Sequence, residues 1–357
     1  MQIWALANQK GGTGKTTTAI NLAASLAAAG QRVLLLDLDP QAHATLGLGC
    51  HIEEKHSIAR TFLDGVPLLD LVRPVVGGFH LVPATLSLAE FEQVAERTIG
   101  PERLLEHELE ALRGRYDWVL FDCPPRADGV LTLNAIRAAT TALMVVETGS
   151  FALQGALRAR SLFEEMVSDP GRGLSLRFLA TLFDRKVAFS RELLVAMQAR
   201  FGERMLDTVI RTDICLRESC AYGVPVRAFD PASKGALDYD ALARELFHLN
   251  NPIRAARGDA SSAAERRAGR SGTYSNGELW PKAPRSPRST EEHVSRAGEF
   301  AAKDEGSSQT SDTRRSQGST SNDLSKDWQR RVDDPFADPD LDSEPTGTPP
   351  SSDSILP

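Results

Sequence analysis

No stretch of the 357 residues approaches the roughly 18 to 20 uninterrupted apolar residues that a bilayer-crossing helix needs, which argues against a membrane-spanning protein. Met1-Gln2-Ile3-Trp4 enters an apolar run with no basic segment ahead of it, so a cytoplasmic chain is expected. Cysteine is scarce: Cys50, Cys123, Cys215 and Cys220 have no C-x-x-C spacing and are too few for a disulfide framework, which points to free thiols. Basic charge is also short, with 41 Lys and Arg against 48 Asp and Glu. The resulting net charge of −7 speaks against wholesale coating of nucleic acid while leaving room for a local basic patch.

Apolar residues are unevenly spread. Residues 251–357 hold 10 of the 20 prolines but only 10 Leu, Ile, Val or Phe, too little apolar surface to offset the entropy of ordering such a segment. Two regions follow, a folded 1–250 and a disordered Ser/Pro/charged tail 251–357. The tail's charge is segregated: 332–357 carries 7 acids and no Lys or Arg. Aromatics at Trp280, Trp328 and Phe336 interrupt the polar run and suggest docking of an additional partner.

Across 1–250, short apolar runs alternate with amphipathic stretches. Strands are expected over 3–7, 33–38, 79–83, 118–122, 142–147, 176–182 and 208–210. Helices are expected over 16–29, 86–113 with a break at Gly100-Pro101, 154–167, 191–201 and 234–249. Near-continuous apolar strands separated by helices predict an α/β fold, a mostly parallel twisted sheet flanked by helices.

The first strand runs into Lys10-Gly11-Gly12-Thr13-Gly14-Lys15-Thr16-Thr17 and then a helix. This is G-x-x-x-x-G-K-[ST] with Lys10 in place of the first glycine. Gly11, Gly12 and Gly14 let backbone N–H groups, including that of Thr13, approach phosphate oxygens, and the helix beginning near Thr16 and Thr17 adds its positive end. Lys15 suits β and γ phosphates, and the Thr16 hydroxyl suits Mg²⁺, so ATP and Mg²⁺ are the expected cofactors of a P-loop NTPase. Lys10 adds a second point charge that could serve its own subunit or a partner's.

Two further strands end in acid. Val33–Leu38 leads into Asp37-Leu38-Asp39-Pro40-Gln41, at the sheet edge where ligands bind in open α/β folds. A carboxylate there could hold Mg²⁺ through water, orient an attacking water, or merely cap a turn. Trp118–Asp122 ends in Asp122, which reads as the carboxylate that holds Mg²⁺ through water, before Cys123-Pro124-Pro125. Cys123 is expected to pack rather than react.

The loop K-G-G-T-G-K-T-T resembles the deviant Walker A loop of the ParA/MinD class of ATPases. D-L-D-P-Q resembles that class's switch I, and the segments Phe183-Asp184-Arg185, Tyr222-Gly223-Val224-Pro225-Val226 and Asp230–Ala236 resemble its ParA/Soj branch. The resemblance covers nearly all of 1–250 and none of the tail. It implies weak, Mg²⁺-dependent ATP hydrolysis, with Lys10 crossing an ATP-bound sandwich homodimer, Asp39 supporting hydrolysis and Asp37 belonging to the magnesium and water network. It further implies nonspecific DNA binding in the ATP state, nucleoid association and stimulation by a ParB-like activator, for positioning chromosome, plasmid or protein cargo. Arg211 stands where many relatives have proline, so adenine contacts are not carried over.

Charge offers an independent view of DNA. Lys186, Arg191, Arg211, Arg217 and Arg227 concentrate in one stretch of a domain that otherwise carries more acids than bases. The alternative is a MinD-like or other positioning ATPase acting at a membrane or protein scaffold without DNA. The membrane version needs a basic amphipathic C-terminal helix, and the final residues carry no Lys or Arg.

Overall fold

The computed structural model describes residues 1–97, 99–126, 128–149, 152–167 and 173–250; the expected tail lies outside the described residues. Among the described residues eight strands form one sheet: β1 (Gln2–Ala7), β2 (Val33–Asp37), β3 (Arg73–Pro74), β4 (His80–Val82), β5 (Trp118–Asp122), β6 (Thr141–Glu147), β7 (Ser175–Phe183) and β8 (Met205–Arg211). Their order is β3-β4-β2-β5-β1-β6-β7-β8, parallel throughout except for β3 against β4. The α/β class is as expected from the sequence.

Both faces are buried, which is why the strands read as continuous apolar runs rather than alternating ones. Alternate residues nevertheless serve different cores. Ala5, Leu34, Leu36, Val119, Phe121 and Met144 face one. Trp4, Leu6, Leu35, Trp118, Leu120 and Leu143 face the other.

The helix Lys15–Ala28 lies on the second face and buries Ile20, Leu22 and Leu26 completely. Each contributes roughly 1.5 to 3 kcal/mol of burial free energy. It packs along the C-terminal helix Lys234–Asn250, and polar groups stitch the two together. Thr18 and Tyr239 share a hydroxyl hydrogen bond of 3.1 Å, and the Ser25 hydroxyl donates to Asp240 at 2.8 Å. Asn21 also accepts from the Val226 N–H at 2.7 Å, which ties in the preceding short helix Val226–Phe229.

Several elements differ from the sequence expectation. The 86–113 stretch is two seven-residue helices, Leu88–Val94 and Leu104–Glu110, joined through short 3₁₀ turns. Gly100 at φ 62° and Pro101 start a new turn there, so the break is complete. β3 was not expected; at two residues it leaves no periodic signal, and Pro74 suits its place at the sheet edge. Val130–Ala138 is a helix that the sequence reading passed over, because its apolar run is short and has no capping side chain.

Candidate functional site

The register places three strand ends together. Leu6 of β1 and Asp37 of β2 both align with Asp122 of β5, so the loop after β1 emerges beside the two carboxylates. Gly12 (φ 78°) and Gly14 (φ 88°) adopt left-handed backbone that side chains disfavour, although a Cβ at Gly12 would meet nothing within 4 Å. The glycines are therefore needed for the path of the chain rather than for room. The loop is clamped on its outer side: the Asn8 amide donates to the Val145 carbonyl at 2.7 Å, and the Thr181 hydroxyl donates to the Thr13 carbonyl at 2.7 Å. The helix Lys15–Ala28 begins directly after Gly14 with no side-chain cap and no acid in its first turn. Its leading N–H groups are left for an anion.

Lys15 is buried, 7% exposed, and its ammonium donates to the Lys10 carbonyl at 3.3 Å across the loop. Burial lowers its pKa, opposed by the charge of Asp122 and more weakly by Cys123 and Asp39. Thr16 and Thr17 are half-buried at the helix start. Lys10 follows a different course: its ammonium forms an ion pair with Glu147, the last residue of β6.

Of the three carboxylates, Asp37 and Asp39 accept hydrogen bonds and Asp122 does not. Asp37 accepts from the Thr45 N–H (2.8 Å), the Thr45 hydroxyl (2.7 Å) and the Asp39 N–H (3.2 Å). Asp37 therefore anchors the chain after β2. Asp39 is buried and its Oδ1 accepts from the Gln41 N–H at 2.9 Å, closing the turn expected as the bland alternative. Asp122 is completely buried, and neither carboxylate oxygen has a hydrogen-bond partner.

Burial pushes Asp37 up to about 6, held back by the Thr45 and Asp39 hydrogen bonds. Burial raises Asp122 well above the carboxylate range, the Asp37 charge adds to this, and the nearby Thr16 hydroxyl and Lys15 ammonium pull it back without making a direct hydrogen bond. Both folded values exceed the usual 3.8, so the folded chain holds more protons than the unfolded one. The stability that protonation confers is present at low pH and lost as pH rises through the folded values. Nucleotide-free protein should thus melt roughly 3 °C or more higher near pH 5.5 than at pH 8. Thermal melts across that range check this; a melting temperature that climbs with pH would contradict it.

An orphaned buried carboxylate beside a threonine hydroxyl and a lysine is chemically suited to a hydrated divalent cation. Among the described residues no group of three or more His, Cys, Asp or Glu converges as a metal cage. Such an ion would have to draw on Thr16, Asp122 through water, and a ligand's own oxygens, a donor set typical of Mg²⁺. Cys123 is buried beside Asp122, and burial raises its thiol pKa, as befits a packing residue.

The basic residues separate likewise. Lys186, Arg191 and Arg217 are exposed, although one Arg191 N–H donates to the Arg185 carbonyl at 2.6 Å. Arg211, its side chain 39% exposed, forms a bidentate pair with Asp238, with a shortest contact of 2.6 Å. Arg227 pairs with Asp240 at low exposure, itself bonded to Ser25. Both guanidinium groups pair with acids of the helix Lys234–Asn250, unlike those of Arg191 and Arg217.

Residues 1–168 match the AAA domain family. The chain is 42% identical over 245 residues to the chromosome-partitioning ATPase Soj of Thermus thermophilus, covering 68% of this chain and 94% of that one. The chain belongs to the ParA/Soj family. The chromosome partitioning protein ParA of Caulobacter vibrioides is 36% identical over 252 residues, 69% of this chain and 94% of its own length. Among solved structures, cobyrinic acid a,c-diamide synthase of Mycobacterium smegmatis, with bound ATP analogue and magnesium, superposes with a TM-score of 0.61 at 31% identity, over 70% of this chain and 95% of that one. ParA/Soj membership covers the region that the sequence resemblance covered. Among the described residues no helix is long and apolar enough to cross a membrane.

Proposed function

We propose that this ParA/Soj chain is an ATP-driven positioning switch. It hydrolyses ATP with Mg²⁺, closes as an ATP-bound homodimer with Lys10 reaching the partner's nucleotide, and binds DNA nonspecifically in that state. A ParB-like activator then triggers hydrolysis and release. The observation that carries this reading is the loop with two lysines set against the unpartnered carboxylate of Asp122. The triphosphate is cradled by the N–H groups from Gly11 to Thr17, with Lys15 moving from the Lys10 carbonyl onto phosphate oxygens. Asp39, at the mouth of the same strand edge, is the candidate to orient the attacking water. Bound Mg²⁺, held by Thr16 and through water by Asp122, would neutralise charge developing on the phosphates.

DNA binding is placed on Lys186, Arg191 and Arg217, the exposed members of the basic stretch. Dimerisation doubles their number, and nonspecific affinity needs only phosphate contacts. Together with the absence of a membrane-crossing helix among the described residues, this favours a cytoplasmic, nucleoid-associated protein. The test is DNA binding by wild type, Lys10→Ala, Lys15→Ala and Asp39→Ala with ATP, ADP or no nucleotide across a salt series. ATP-dependent, salt-sensitive binding that both lysine variants lose and Asp39→Ala retains without turnover is expected. Dimerisation with no DNA affinity in any state would instead fit a scaffold-tethered ATPase.

The ion pairs separate residue roles further. Arg217→Glu should lower DNA affinity about tenfold and flatten the salt dependence by roughly one unit of slope per lost phosphate contact. Arg227→Ala should leave that slope alone and lower the melting temperature, since it strands the Asp240 carboxylate. Filter binding and thermal melts on the two variants distinguish these effects.

A further inference from the structure

Glu147 has no part in the mechanism above, yet the structure builds a place for it. Its carboxylate is the ion-pair partner of Lys10 and its side chain is only 18% exposed, against 51% for Lys10. The backbone on both sides is set independently of that contact. Asn8 donates to the Val145 carbonyl and accepts from the Lys10 N–H at 3.1 Å, so one amide fixes the start of the loop against the end of β6. Gly149 supplies the space: a Cβ there would stand 3.1 Å from Oε1 and 3.3 Å from Cδ of Glu147, tight enough to press the carboxylate over by a few tenths of an ångström. The result is a mostly buried carboxylate paired with an exposed ammonium at the rim of the phosphate loop.

We propose that Glu147 is a positioning residue that retains Lys10 on its own subunit until nucleotide draws it away, so this pair sets how readily an ATP-loaded chain closes on a second copy. The inference rests on the reading of Lys10 as acting across the dimer. A lysine cannot serve Glu147 and a partner's phosphates at once, so closure must first break the pair. A partly exposed pair of this kind is weak and screened by salt, which suits a restraint that a triphosphate can overcome.

The test uses the full chain carrying Glu147→Gln, which removes the charge, and Gly149→Ala, which keeps the charge and only presses on the carboxylate. In nucleotide-free protein, acetylation of Lys10 by a small anhydride, followed by mass spectrometry, should run about two- to fivefold faster in Glu147→Gln and change less, in the same direction, in Gly149→Ala. With ATP, the dimer dissociation constant should fall by a similar factor in Glu147→Gln and by less in Gly149→Ala, while ATP affinity of the Gly149→Ala monomer stays at the wild-type value. Adding Glu147→Gln to Lys10→Ala should change nothing further. Unaltered Lys10 acetylation in Glu147→Gln, or an equal gain in dimerisation without Lys10, would overturn the proposal. A Lys10→Ala protein that dimerises as tightly as wild type would overturn the trans reading itself, a failure visible in that variant alone.

Discussion

Replacing Lys15 by alanine should weaken ATP binding by about two to three orders of magnitude, as removing one partner of a buried charged contact costs about 2 to 5 kcal/mol. Lys15 is the cation nearest the acid cluster, and it is already desolvated, so little of its attraction for a phosphate is spent on stripping water. The same change should disturb the nucleotide-free protein. Lys15 pulls the Asp122 pKa down, and without it that carboxylate has only the Thr16 hydroxyl to oppose burial and the Asp37 charge. Titration with a fluorescent ATP analogue measures the first effect and thermal melts the second. Lys15→Arg should rescue stability better than nucleotide affinity, because the guanidinium keeps the charge but is too bulky for a 7% exposed slot. Wild-type affinity in Lys15→Ala would remove the phosphate role.

The second large effect has opposite signs in two states. Asp122→Asn should raise the melting temperature of nucleotide-free protein at pH 8, by roughly 2 to 4 °C for each kcal/mol recovered. It replaces a buried carboxylate without a hydrogen-bond partner by a neutral side chain of the same shape. With Mg²⁺ and ATP the order should invert, since ligand stabilisation follows affinity and the variant lacks the charge that faces the cation. A variant less stable than wild type in both states would mean that Asp122 is a structural acid and not a site held open. Chelating Mg²⁺ from wild type should reproduce most of the variant's loss in the nucleotide-bound state.

The phosphate loop was legible in the sequence because its chemistry is local: strand, glycines, Lys15, Thr16 and helix follow one another, and the structure keeps them in that order. Strand-end acids were legible for the same reason. What each acid touches was not. Thr45 is eight residues beyond Asp37 and 77 before Asp122, and nothing in its own surroundings announces that its hydroxyl holds Asp37. The ion pairs of Arg211 and Arg227 were not legible either, because their partners, Asp238 and Asp240, lie 27 and 13 residues away on the helix Lys234–Asn250. Glu147 carried a readable signal, as it ends an apolar strand just as Asp37 and Asp122 do, and the rule that singled them out extends to it.

The hydrogen bonds between Thr18 and Tyr239 and between Ser25 and Asp240 join residues 221 and 215 positions apart. The helix that presents the phosphate loop is therefore covered by one of the last segments of the domain to be made. On a ribosome, the first 200 residues emerge with Ile20, Leu22 and Leu26 still lacking part of their cover, and that cover is complete only once the chain has passed Asp240 by the length of the exit tunnel. Residues 251–357 follow Asp240 in translation, so they give that closing helix time to leave the tunnel while synthesis continues.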